Sequence, residues 1–214
     1  MDITYYGHNC FRMIERGMAS IITDPFDASF ASIDGPHLPA DIVTISTNMP
    51  GHNGVAEVKG SPMVLNTPGE FEIGGVFITG IATWNPQTDP EHTHYNVAYV
   101  CDFDKVRVCH LGTLDYVPSQ SVIEALGSVD VLMIPVGGHI ALNSTQAAEV
   151  ISLIEPGLVV PMYFAMPGIP VELDEVHKFL AEMGAPDVEA VDSLRVTTSA
   201  VPDSTQIVVI DVKA

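Results

Sequence analysis

The strongest constraint on how this chain folds is a change of hydrophobic period part-way along it. Up to about residue 110 the apolar residues fall in short runs rich in β-branched and aromatic side chains, cut by Gly, Pro, Asp and Asn, which is the signature of strands and turns. The spacing predicts strands over Ile3–Tyr6, Cys10–Glu15, Met18–Thr23 and Ile42–Ser46, with a tight turn at Arg16-Gly17 and a stop at Asp24-Pro25. Gly74-Gly75 joins Phe71–Ile73 to Val76–Ile78, and the turn 102–105 joins Asn96–Cys101 to Val106–His110. Beyond that, helical and buried-strand patterns alternate. Helices are expected at Ser119–Leu126, Asn143–Ile154 and Val171–Met183, and strands at Val129–Pro135, Leu158–Pro161, Arg195–Ser199 and Gln206–Val212. Asn143 with Gln146 three residues on forms the reciprocal cap of a helix start, and Gly127 and Gly184 are stop signals. Strands first, then strands alternating with helices, predict an α/β protein with two stacked sheets between helices, an αββα sandwich of four layers.

A length of 214 residues suits one domain, residues 1–214, with a sizeable core, and 47% of the residues are hydrophobic. No apolar run reaches the roughly 18 residues of a membrane span. Met1–Tyr5 has neither the basic nor the apolar region of a signal peptide and reads as the first strand. Cys10, Cys101 and Cys109 are odd in number and form no C-x-x-C pair, as expected of a cytoplasmic protein rather than a disulfide framework. Eight Lys and Arg against 27 Asp and Glu leave a net charge of −19, so a nucleic-acid partner is not expected.

Several polar segments fall at predicted strand ends, where loops converge on a site. These are Gly7-His8-Asn9-Cys10, Thr23-Asp24-Pro25-Phe26, the stretch 46–53 that ends Gly51-His52-Asn53, Thr67-Pro68-Gly69-Glu70, Cys109-His110-Leu111-Gly112-Thr113 and Pro161-Met162-Tyr163-Phe164. In this order they resemble the metallo-β-lactamase superfamily, and within it the small metal-dependent hydrolases that include the L-ascorbate-6-phosphate lactonases. The resemblance implies a four-layer αββα sandwich of the metallo-β-lactamase type and a site for two zinc ions. It also implies where the zinc ligands belong, and most of those positions carry other residues. The His-x-His-x-Asp-His motif falls on Thr47, Met49, Gly51 and His52, the later His on His110, the bridging Asp on Thr113 and the last His on Tyr163. A thioether is a poor zinc ligand and Gly offers no side chain.

His8, His52 and His110 with Asp24 are the candidates for a mononuclear site holding one zinc, manganese or iron ion, and Asn48 and Asp115 are substitute ligands within reach in sequence. Thr113 and Tyr163 complete the pocket candidates; the alternative is that the histidines hydrogen-bond as scaffold. His92 and His94 form a chelate pattern in a Pro-rich loop, His139 rims the expected pocket, and Glu70 and Glu72 share a strand face. Each has a plainer reading as a solvated residue. No nucleophile elbow or phosphate-cradling loop is present. Two functions follow. One is an inactive relative, a pseudoenzyme that keeps a pocket for a small-molecule ligand; the other is an active hydrolase of an ester, lactone or phosphoester with a reduced metal site. A homo-oligomer fits the apolar content.

Overall fold

The computed structural model describes residues 1–33, 35–84 and 95–213. The chain opens with strands β1 (Asp2–Gly7), β2 (Cys10–Ile14), β3 (Ile21–Thr23), β4 (Ile42–Thr44) and β5 (Met63–Leu65). It continues with β6 (Gly69–Ile73), β7 (Val76–Thr83), β8 (Asn96–Phe103) and β9 (Val106–His110). Then come α1 (Gln120–Leu126), β10 (Val131–Pro135), α2 (Ser144–Ile154), β11 (Leu158–Met162) and α3 (Val176–Glu182). Two short strands finish it, β12 (Leu194–Arg195) and β13 (Gln206–Ile207). Two mixed sheets result, ordered β12-β1-β2-β3-β4-β5 and β13-β11-β10-β9-β8-β7-β6. The antiparallel pairs are neighbours in sequence except β1 with β12, whereas β10 and β11 run parallel because α2 carries the chain back between them.

Period-two alternation decides which way each strand faces. Ile3, Tyr5, Phe11, Met13, Ile21 and Ile42 turn inward and join Tyr99, Val108, Met133 and Val160 of the second sheet in one core. Tyr6, Cys10, Ile22 and Val43 turn the other way and are covered by Phe26, Ala31 and Val58 from the connections around β4. A fully buried Phe or Ile contributes about 1.5–3 kcal/mol, so the inward row of the first sheet alone is a major part of what holds the layers together. The three cysteines are free and buried.

The Asn143–Gln146 capping box forms as expected, and Gly127 ends α1 with φ 67°. The third helix starts later than the expected Val171, at Val176. Asp174 explains the delay: its N–H donates to the Gly137 carbonyl and its carbonyl accepts from Ala165 N–H, which fixes 171–175 as a loop. The expected strand over Arg195–Ser199 shrinks to Leu194–Arg195, since residues 198–200 turn into a 3-10 helix. The expected strand from Gln206 to Val212 keeps only Gln206–Ile207, the rest making single bridges such as Val191 with Ile210. β5 is a strand the sequence pattern does not single out. No helix among the described residues is long and apolar enough to cross a membrane.

Candidate functional site

Most of the segments singled out at strand ends meet at one rim of the sandwich. The β1–β2 turn is made by Gly7 with φ 103° and His8 with φ 57°, and this left-handed pair carries the His8 imidazole to the rim. Asp24 follows β3 with φ 37°, and Tyr163 follows β11 with φ 53°. Non-glycine residues at positive φ are uncommon and cluster at functional sites. Tyr163 is locked there by its N–H donating to the His8 carbonyl at 2.9 Å, which ties the two sheets together across the site.

The half of the site built on the first sheet is a chain of polar contacts. Ser46 N–H and Oγ–H donate to Asp24 Oδ1 and Oδ2 at 2.6 and 2.5 Å. Asp24 Oδ2 lies 3.3 Å from His52 Nδ1, and His52 Nε2 lies 3.1 Å from His8 Nε2. All four residues are buried. Burial pushes the Asp24 carboxyl up, but the hydrogen bond and charge of His52, the charge of His110 and the Ser46 hydroxyl outweigh it and hold the pKa below the usual carboxylate value. His8 is pushed down to about 3, first by burial and then by the charge of His52, so it is neutral at physiological pH. Among the described residues its Nδ1 is buried with no partner, as are both polar atoms of the Asn9 side chain and Thr44 Oγ1.

The half on the second sheet is built differently. A carbonyl only accepts, so the 3.0 Å contact of His110 Nε2 with the Asn9 carbonyl requires Nε2–H. Gly112 N–H donates to His110 Nδ1 at 3.3 Å, so both ring nitrogens are used and the neutral tautomer is fixed. Burial is the main reason its pKa falls below the ordinary value. Thr113 donates through N–H and Oγ1–H to Asn96 Oδ1, at 2.9 and 3.2 Å. The Asn96 amide nitrogen in turn donates to Thr83 Oγ1 and the Leu111 carbonyl at 2.7 and 3.0 Å.

Aromatic side chains close the rim. The Tyr163 ring sits 4.6 Å from His8 and 5.8 Å from His52, centroid to centroid, and the Phe30 ring packs on His8 at 5.1 Å. Gly51 makes room for it: a Cβ there would lie 2.5 Å from Phe30 Cζ.

So the structure brings His8, Asp24, His52 and Tyr163 together, with His110 near enough to interact electrostatically with Asp24. Asn48 is exposed and Asp115 half-buried. Thr113 belongs to the Asn96 cluster. Among the described residues, no group of three or more His, Cys, Asp or Glu could hold a metal ion. Glu70 and Glu72 are exposed on β6 and His139 is exposed on its loop, while His92 and His94 lie outside the described residues. Asn96 and Phe30 are site residues that the sequence pattern does not reveal, because their partners are remote in sequence. Ser46 falls in the singled-out stretch 46–53, but its two hydrogen bonds to Asp24 emerge only in the fold.

Comparisons with known proteins give the family and the fold. The family model of the β-lactamase superfamily domain matches residues 2–163. The chain belongs to the metallo-β-lactamase superfamily. Among solved structures it is similar to a Thermotoga maritima member of that superfamily to which zinc-dependent hydrolysis has been ascribed. That match has 31% identity and a TM-score of 0.80, and covers 98% of this chain and 97% of the other. Among curated proteins it is similar to a UPF0173 metal-dependent hydrolase of Thermococcus onnurineus, 26% identical over 210 residues, or 85% of this chain and 93% of that protein. An isothiocyanate hydrolase from Delia radicum gut bacteria shares the fold at 14% identity, with a TM-score of 0.69 and coverage of 100% and 98%. The relatives are thus metal-dependent hydrolases, and the superfamily's sandwich with two mixed sheets and flanking helices is the fold of this chain.

Proposed function

We propose that this chain is a metallo-β-lactamase-fold protein that has lost most of the dinuclear zinc ligands and serves as a ligand-binding relative rather than a conventional zinc hydrolase. One observation carries the reading: the two imidazoles that face each other, His8 and His52, find no third ligand. Asp24 lies on the far nitrogen of His52, and His110 has committed both of its nitrogens. Catalytic zinc requires three protein ligands and an open position. Where the motif's carboxylate belongs, Gly51 offers no side chain and its space is taken by Phe30. The residues present do not fit a dinuclear zinc centre, and no hydrolytic step is derived through one.

The test is elemental mass spectrometry of untagged protein, before and after incubation with zinc, manganese and iron(II), beside a screen of lactones and phosphoesters, the substrates suggested by the lactonase-like branch. The expected result is no stoichiometric metal and no turnover. About one metal per chain, lost on His52→Ala, overturns the reading.

A specific observation favours the second reading, an active hydrolase with one metal. Asp24 bonded to His52 Nδ1 is the carboxylate–histidine arrangement that orients a metal ligand, and two nitrogens 3.1 Å apart suit one small cation. The same metal analysis separates the two.

A further inference from the structure

The segment from Phe26 to Ile33 lies in a trough lined by glycines. Besides the Gly51 approach to Phe30, a Cβ at Gly168 would lie 2.7 Å from Ile33 Cγ2, and one at Gly7 3.1 Å from Ile33 Cδ1. A Cβ at Gly35 would meet the Phe26 carbonyl oxygen at 2.5 Å, and one at Gly54 the Phe26 carbonyl carbon at 2.6 Å. Despite this close fit, residues 27–33 are lightly tethered. The hydrogen bonds of Ser29, Phe30 and Ala31 go to Asp27 within the segment, and among the described residues Ser32 N–H to the Gly168 carbonyl is the backbone bond that reaches outside it. Phe30 itself is only half-buried, whereas His8 beneath it is buried. A side chain with solvent on one face and few bonds behind it is drawn from the low-stability end of the structure.

We propose that the slot filled by the Phe30 ring is a binding site for a small neutral aromatic molecule bearing one hydroxyl or amino group, which enters by displacing Phe30. The proposal rests on the reading that the site holds no zinc centre. The ring already there shows the shape accepted: it is flat and packs against His8, centroid to centroid at 5.1 Å. Aromatic pairs at such separations attract beyond the area they bury. His8 Nδ1 supplies the polar requirement, since among the described residues it has no partner although buried on the same imidazole, and a buried polar atom left unpaired is costly. A ligand hydroxyl can satisfy it in either tautomer, because it both donates and accepts. Charge selects against anions, since the chain carries −19 overall.

The experiment titrates phenol, and separately benzene, into nitrogen-15-labelled protein free of added metal, following the imidazole resonances of wild type and Phe30→Ala. Phenol should shift the His8 lines in both and bind the variant about tenfold more tightly, because the internal competitor is gone. Benzene should bind more weakly than phenol, since it leaves Nδ1 unpaired. A folded Phe30→Ala that binds phenol no better than wild type overturns the proposal. If that variant does not fold, the wild type decides: no movement of the His8 lines at about 10 mM phenol overturns it equally. Metal content measured on the same samples separates the two readings. A metal-free protein that ignores phenol removes only this proposal, whereas one zinc per chain removes the reading beneath it.

Discussion

The two sheets contribute unequal halves to the site. At the second sheet's side of the site the polar side chains are paired: Asn96 makes four hydrogen bonds, Thr113 two, and His110 uses both nitrogens. At the first sheet's side His8 Nδ1, both side-chain atoms of Asn9 and Thr44 Oγ1 are buried without partners among the described residues. Native proteins satisfy nearly all buried polar groups, so a cluster of exceptions calls for an explanation. The contrast teaches that the polar groups of the second half are committed to one another, while the first half, on the reading proposed above, keeps groups that a ligand can satisfy.

The largest effect should come from breaking the closed half. Asn96→Ala leaves Thr113 N–H, Thr83 and the Leu111 carbonyl without their bonds, and should cost about 3–4 kcal/mol in urea unfolding. An effect below about 1 kcal/mol would show that the second half is held by packing rather than by its hydrogen bonds. Next comes Gly51→Asp, which restores the motif's carboxylate type. It meets the Phe30 ring and a φ of 88°, and should cost about 2–3 kcal/mol. Adding Phe30→Ala should return about 1 kcal/mol or more in a double-mutant cycle, and strict additivity would deny that the two positions compete for one space.

The open half should appear in the pH dependence. His8 has a folded pKa of about 3, below its unfolded value, so between those values the unfolded chain binds a proton that the folded chain does not. Stability should therefore fall as pH drops below about 6.5, by up to about 2 kcal/mol at pH 5, and His110, also depressed, adds to the slope. Asp24, held low, adds its own loss only when its carboxylate protonates in more acidic solution. Replacing His8 with Phe should flatten the curve, and an unchanged slope assigns it elsewhere. The smallest effect is expected at Glu70→Gln and Glu72→Gln, exposed on the β6 edge, which should stay within about 0.5 kcal/mol.

Local signals made much of this legible from sequence. The Asn143–Gln146 cap, the Gly74-Gly75 hairpin and the buried runs that become β9, β10 and β11 are written within a few residues of each other. The positions of His8, Asp24, His52 and Tyr163 at strand ends were readable for the same reason. The rest depends on distant partners. The onset of α3 is set by bonds from Asp174 to Gly137 and Ala165, and Asn96 reads as an ordinary first residue of a strand until Leu111 and Thr113 are folded against it. Phe30 stands in a stretch with the look of a loop, and its contact with Gly51 is set by tertiary packing alone.

The most direct test of the central claim is the imidazole nitrogen-15 spectrum recorded with and without one equivalent of zinc. The account predicts His110 as the neutral Nε2–H tautomer in both, with the lines of His8 and His52 unmoved by zinc. Coordinated shifts of His8, His52 and His110 to metal-bound positions would contradict it.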